Sequence, residues 1–569
     1  MIRGIFLFFI GWVISHIITA ILLAIIYSKT FYIFSPFSLV SYYFHSLFTF
    51  HKVSGLVQFM FWFYLFVATI PFGIYQIIFS NDPKLGKYGQ KNKYGYAKFA
   101  GTNLIKKMKL NFEEGVVFGL VKRNFLFSKR KVIRSNEPLS TLIIAPTGTG
   151  KTAGFIIPTL KSITNSVVAF DIKGELFQTT NQDRIRLGHK VFVFDVEGGI
   201  KFNPFARNQL PQDLIKLKSY IKNISTLLFD KSTSGFNKEG NYFTNSAKEL
   251  FNTISLHLIL QNGYTTIPKI KELLLSNNNS KSIFLKIDEK LKDQLEAGIE
   301  NEIKKQLLIQ VHQGINQILQ ICEAKDQFLG VIGSLTTILS AYDDMEIKEI
   351  IDCENSTIIA DSLRKEKITV YIRVKDIDLE RLRPLVTLFF ETLITDIISN
   401  EATTKDNQIT FILDEFGNLG RVSKLIKATT ISRSYKLNQI FILQDLAQIS
   451  SIYSNEERSI LESNTAYKII LQQNNFDTAR RISEIIGHKT DARVSKSSKE
   501  AKASTTNSNQ DSISVSDEAI HLITPQDILN LNPNQCLIIV QGFAATPILA
   551  DICWWFKNED LLTPGVTTT

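Results

Sequence analysis

Residues 139–152 read LSTLIIAPTGTGKT, and this stretch decides the fold. Its first half, residues 139–145, is a short apolar run that predicts a strand buried on both faces. The run passes directly into Pro146, Thr147, Gly148, Thr149, Gly150, Lys151 and Thr152. A strand, a glycine-rich turn and a helix start in that order are what a phosphate-binding loop requires. Gly148 and Gly150 let backbone N–H groups turn inward around phosphates. Lys151 would sit on the β- and γ-phosphates of ATP, and the Thr152 hydroxyl would ligate Mg2+. Ala145 stands where such loops usually carry glycine, at a position that closes the strand and accepts a small side chain. Pro158 follows within two turns and predicts a kink or an early helix end near Ile157.

Further apolar runs lie downstream. Residues 166–170 (SVVAF) lead into Asp171-Ile172-Lys173-Gly174-Glu175, and residues 190–194 lead into Asp195. Acidic residues at the carboxyl ends of buried strands sit where open α/β sheets bind ligands. Asp171 either approaches nucleotide and Mg2+ or caps the next helix. Residues 409–413 (ITFIL) predict another buried strand, followed by Asp414-Glu415. Alone, that pattern is equally a strand ending at a helix cap. Paired with the 145–152 loop, it makes Asp414 a holder of the Mg2+ shell and Glu415 the group that orients and deprotonates an attacking water, as ATP hydrolysis needs. Residues 439–443 (QIFIL) end at Gln444, which is placed either to sense a γ-phosphate or simply to line a loop mouth.

The chain has 569 residues, room for roughly three to four domains at ~150 residues each. Apolar residues make up 44%, which excludes a disordered chain. Its four cysteines are scattered without a CxxC, so neither a disulfide framework nor a zinc site is indicated. Residues 5–27 and 56–79 carry no charge, and each exceeds the ~20 residues that span a bilayer. The first run is longer than the ~7–15 apolar residues of a cleaved signal peptide and lacks a small-x-small site before Lys29. The expectation is a two-helix transmembrane anchor over residues 1–80. The aromatic stretch between the runs, interrupted by Pro36, fits a short periplasmic loop at the interface better than a third crossing. Residues 81–135 carry fourteen Lys and Arg against three acids, enough to account for the chain's net +10. By the positive-inside rule this block stays cytoplasmic, which places both the N-terminus and the large C-terminal part inside. The block is either a solvated face or a contact for membrane lipids or nucleic acid.

The order of motifs resembles the type IV secretion-system coupling proteins, membrane ATPases of conjugation and related export. The matching stretches are YGYAKFA at 94–100, APTGTGKT at 145–152, IPTL at 157–160, DIKGE at 171–175 and NPF at 203–205. LDEFGNLG at 413–420, FILQDLAQI around Gln444 and SEIIGHKT at 483–490 complete the series. The resemblance implies an α/β, RecA-like P-loop ATPase domain formed by residues 81–210 and 366–569. It also implies an all-α domain inserted at 211–365, where helical periods such as 247–260 and 302–322 occur. The family assembles as a ring of six, with an arginine from the next subunit completing each site. Arg433 matches that arginine, and Arg421 is the competitor. Lys151, Glu415, Arg433 and Gln444 are the catalytic candidates this implies. The implied activity is that of a two-pass bacterial inner-membrane ATPase. It would recruit relaxase-bound single-stranded DNA or protein effectors and feed them to type IV secretion channel components. Its rivals are a double-stranded DNA pump of the chromosome-segregation kind, for which no winged-helix reader is seen, and a nucleotide-gated scaffold, which has no need of Glu415. Residues 490–517 are too polar to bury a core and read as a mobile loop within the motor domain. Trp554-Trp555-Phe556 reads as core rather than as a base-stacking platform.

Overall fold

The computed structural model describes residues 93–121, 131–197, 199–229, 238–275, 280–497 and 512–562. The apolar runs at 5–27 and 56–79 lie outside them, and among the described residues no helix is long and apolar enough to cross a membrane. In chain order the strands are β1 (Val116–Leu120), β2 (Val132–Ser135), β3 (Thr141–Ile144), β4 (Ser166–Asp171), β5 (Lys190–Phe194), β6 (Ile368–Arg373) and β7 (Ile409–Leu413). They continue with β8 (Leu437–Leu443), β9 (Tyr467–Ile470), β10 (His488–Ser497), β11 (Ser512–His521), β12 (Gln535–Val540) and β13 (Ile548–Asp551).

Among the described residues, one sheet of eleven strands runs in the order β2-β1-β13-β12-β9-β3-β8-β7-β4-β6-β5. From β9 to β5 all neighbours are parallel. On the other side β12, β13, β1 and β2 add antiparallel pairs, which makes the sheet mixed. β3, β4, β7 and β8 are buried at every position. Continuous apolar runs such as TLII and ITFIL suit strands covered on both faces. β5, at the edge, is exposed or half-buried over most of its length.

Register places the loops. Ile144 of β3 lies opposite Leu443 of β8, and Leu413 of β7 lies opposite Phe441 of β8. The carboxyl ends of β3, β8, β7 and β4 therefore share one edge, with β8 between β3 and β7. Strands ~4.8 Å apart put the ends of β3 and β7 about 10 Å from each other, within reach of a lysine.

Between β5 and β6 the chain is helical, from Leu214–Phe229 through Lys238–Asn262, Glu302–Glu323 and Lys325–Leu339 to Met345–Ile351. Apolar stripes from these helices, including Phe229, Phe251, Ile315 and Leu335, are fully buried and continuous with the sheet's own core. Asn203 sits at the seam. Its side chain is fully buried, accepts from the Phe205 N–H at 2.9 Å, and donates to the carbonyls of Thr265 at 2.8 Å and Cys353 at 2.7 Å. This amide satisfies backbone groups on both sides of the helical segment, which explains an asparagine ahead of Pro204.

Arg184 performs a similar task beneath the nucleotide-side helices. It is fully buried and donates to the carbonyls of Leu160 and Asn165 and to the Thr369 hydroxyl, each at 2.9 Å. Burial pushes its pKa down to about 10, still charged at neutral pH. It locks the helix Glu175–Arg186 to the end of Ile157–Ser162 and to β6.

The chain divides into two compact units. The larger contains residues 97–488 and 521–562 among those described, and the smaller residues 93–96 with 489–497 and 512–520. In the smaller unit β10 and β11 pair, and the Thr490 hydroxyl accepts from the N–H groups of Tyr94 at 2.9 Å and Gly95 at 3.2 Å. Residues 490–517, read from composition as a mobile loop, thus carry paired strands over 490–497 and 512–517. Alternating Ser, Val and Lys suits a ribbon with backbone hydrogen bonds and little core, which a burial criterion overlooks.

Candidate functional site

The loop after β3 follows from backbone constraints. Ala145 is fully buried and its N–H donates to the Leu443 carbonyl at 2.8 Å, so it continues the ladder with β8 and has room only for a small side chain. Gly148 and Gly150 take φ of +79° and +82°, the left-handed region that costs other residues about 1–2 kcal/mol. Between them the Thr149 hydroxyl donates to the Pro146 carbonyl at 2.7 Å and closes the turn. Thr147 is exposed and Thr152 half-buried at the helix start. One π-helical turn, Thr152–Ile156, precedes the α-helix Ile157–Ser162. Pro158 lies in the first turn of the latter, where its missing N–H costs little. The irregularity expected near Ile157 is this change of helix type.

Lys151, 8% exposed, brings the separated motifs together. Its Nζ lies 3.2 Å from Glu415 Oε1 and 3.5 Å from Asp414 Oδ1. Burial pushes the Asp414 carboxyl up to about 6, with the Glu415 charge adding to the rise and the Lys151 ammonium opposing it. Asp414 Oδ1 is buried and accepts no hydrogen bond among the described residues; the ammonium at 3.5 Å is an ion pair only. An unpartnered carboxylate oxygen and the Thr152 hydroxyl form a hard donor set that fits Mg2+, which takes few protein ligands and completes its shell with phosphates and water. Glu415 adopts φ +53°, an uncommon conformation for a non-glycine residue, and Asn418 Nδ2 holds its second oxygen at 3.0 Å.

Gln444 follows β8 on the same edge. Its N–H donates to Gln448 Oε1 at 3.2 Å, and Gln448 packs where a side chain on Gly417 would collide with it. The loops after β7 and β8 are thereby joined. Asp171 is fully buried and accepts from the Phe177 N–H at 2.9 Å, so it caps the helix that follows β4; burial raises its pKa. It is also close enough to Asp414 for its charge to raise that carboxyl's pKa. Asp195 accepts from Arg373 Nε at 2.9 Å and has a structural role.

Neither arginine joins Lys151. Arg433 precedes β8 at the amino edge of the sheet, opposite the loop, with its side chain 72% exposed and 3.9 Å from Glu137. Arg421 lies beyond Asn418 and pairs with Glu457 at 3.1 Å.

Two residues near the loop had no signal in the sequence. Gln473 is 1% exposed and donates from Nε2 to the Ile144 carbonyl at 3.0 Å, at the point where β3 becomes the loop. Trp554 is half-buried and packs on Gly150, where any Cβ would run into its Cη2 and Cζ3 atoms. Phe556, grouped with the core by its composition, is 56% exposed. A Trp-Trp-Phe run reads as core because ring area dominates burial, but this run ends on a surface turn.

Residues 98–568 match the family model described as Type IV secretory system Conjugative DNA transfer. Protein VirD4 of Agrobacterium fabrum (strain C58 / ATCC 33970) is 26% identical over 431 residues, covering 72% of this chain and 56% of that protein. Conjugal transfer protein TraG of Escherichia coli is 24% identical over 378 residues, covering 63% and 56%. The chain thus spans just over half the length of these curated relatives. Among solved structures, the unbound conjugative coupling protein TrwBdeltaN70 superposes with a TM-score of 0.54 at 14% identity, over 82% of this chain and 96% of that one. Plasmid coupling protein TrwB in complex with ADP and Mg2+ gives 0.52 at 14%, over 82% and 95%. At that identity the likeness establishes the fold.

Proposed function

Because the chain belongs to the type IV secretory system conjugative DNA transfer family, we propose that it is a membrane-anchored coupling ATPase that delivers transfer substrates to a secretion channel. The observation that carries the reading is the convergence of Lys151, Asp414 and Glu415 at one sheet edge, within 3.5 Å of the lysine. The TrwB complexes with ADP and Mg2+ and with a non-hydrolysable ATP analogue support the same ligands here. Loop N–H groups at 146–152 would hold the phosphates, and Thr152 and Asp414 would hold Mg2+. The cation supplies charge neutralisation on the β- and γ-phosphates. Lys151 would leave the two carboxylates for the phosphates. Glu415, steadied by Asn418, is then free to orient a water and take its proton. Gln444 lies on the loop beside them, suited to report the γ-phosphate to the Gln448 contact.

Arg433 cannot serve its own subunit from the opposite edge of the sheet, so its role requires a neighbour, as in a ring of six. An Arg433→Ala subunit mixed with a Lys151→Ala subunit is expected to recover ATP turnover that neither shows alone, because each supplies what the other lacks. Turnover that stays absent at every mixing ratio removes Arg433 from the site.

The cargo follows from kinship: relaxase-bound single-stranded DNA, protein effectors, or both. The runs at 5–27 and 56–79 are the proposed two-pass inner-membrane anchor, and the basic 81–135 block lies against lipid on the cytoplasmic side. The test is ATP turnover by the full chain in detergent micelles. Single-stranded DNA is expected to stimulate it more than duplex DNA, with stimulation falling steeply between 50 and 200 mM salt (order-of-magnitude range). Equal or greater stimulation by duplex would favour a double-stranded DNA pump instead.

A further inference from the structure

We propose that Trp554, extended by Phe556, is the wall on which the purine ring of the bound nucleotide stacks. The inference rests on the phosphate-loop reading and adds a subsite to it. The six-membered edge of the Trp554 indole lies against Gly150, the residue before Lys151, so closely that a side chain on Gly150 has no room. An aromatic ring therefore stands directly beside the backbone that cradles phosphate. Its orientation is set by the Nε1–H, which donates to Asn534 Oδ1 at 3.1 Å. The ring nevertheless remains only half-buried. Phe556 stands next to it at 6.0 Å between centroids, inclined by 34°, and is 56% exposed.

The segment carrying these rings is fixed to the loop and its helix at several points. Ile552 fills the space over Gly154 where a side chain would otherwise lie. The Lys161 ammonium sits 5.2 Å above the Trp555 ring and is held by Asp183 at 2.6 Å and Glu559 at 3.1 Å. Trp555 and Ile552 thus anchor the turn, and Trp554 and Phe556 present aromatic surface to solvent. Aromatic rings left half in water beside a phosphate site gain most from a flat apolar ligand, and the base is the flat part of a nucleotide. The pair offers ring faces and no hydrogen-bond donors for base edges. Adenine and guanine should therefore be accepted alike.

The test measures dissociation constants of the full chain, with Mg2+, for ATP and for inorganic tripolyphosphate, which has the phosphates without the base. Trp554→Ala is expected to weaken ATP about tenfold, within the range of base–aromatic stacking, and to leave tripolyphosphate unchanged. Trp554→Phe is expected to restore most of the ATP affinity. Phe556→Ala, a surface change, should weaken ATP by about threefold, toward the low end of that stacking range. Equal losses for both ligands in Trp554→Ala would mean that the ring only shapes the loop, and would overturn the proposal. Unchanged ATP binding would also overturn it, as would a loss confined to a single-stranded oligonucleotide. Failure of the phosphate-loop reading would look different: Lys151→Ala would then bind tripolyphosphate as well as the parent protein.

Discussion

Replacing Lys151 by Ala is expected to lower ATP turnover by at least about 10²–10³-fold, the scale for removing one positioned charge from a developing phosphate transition state. The apo protein should change as well. Lys151 is the cation that separates two carboxylates, at 3.2 Å from Glu415 and 3.5 Å from Asp414, in a largely buried site. Breaking a fully buried pair costs about 3–5 kcal/mol. Here the loss should be smaller, on the order of 2 kcal/mol, because one carboxyl can take a proton. Asp414 is the one to do so, since burial and the Glu415 charge already push it up to about 6. ATPase assays and thermal unfolding of the full chain measure both effects. Turnover equal to that of the parent protein would show that 145–152 does not bind the reacting phosphates.

Glu415→Gln is expected to separate binding from hydrolysis. Gln has the same length, can occupy φ +53° at no greater cost than Glu, and can still accept from Lys151. It cannot take a proton from water, so turnover should fall about 10²–10⁴-fold, the usual contribution of a general base. ATP should remain bound and accumulate on the protein. Filter retention of γ-labelled ATP, compared with single-turnover release of phosphate, reads both quantities. Rapid hydrolysis by this variant would take the base role away from Glu415 and leave it as a partner of Lys151.

The two experiments probe features of different origin. The loop itself is legible in the chain: an apolar run ending in glycines that must adopt positive φ identifies its turn from neighbours alone. The runs at 166–170, 190–194, 409–413 and 535–540 were likewise legible as strands, because burial on both faces demands continuous apolar residues. The strand at 439–443 begins two residues earlier, at Leu437, where Asn438 and Gln439 are buried in spite of their polarity. Gln439 manages this by donating to the Leu425 carbonyl at 2.8 Å, a contact no local pattern announces.

What the chain could not disclose by itself is which runs become neighbours. Its buried strands are chemically interchangeable, so nothing local says that β8 enters between β3 and β7, yet that order sets Lys151 against Glu415 across 264 positions. The same holds for Trp554 on Gly150, for Asn203 at the helical seam and for Arg433 on the far edge. Short-range backbone and burial requirements were determined by sequence; long-range juxtaposition was decided only by tertiary structure. The physical reason is that hydrophobic burial is non-directional. It determines that a run goes inside, whereas its partners follow from sheet order, loop length and the packing of the whole chain.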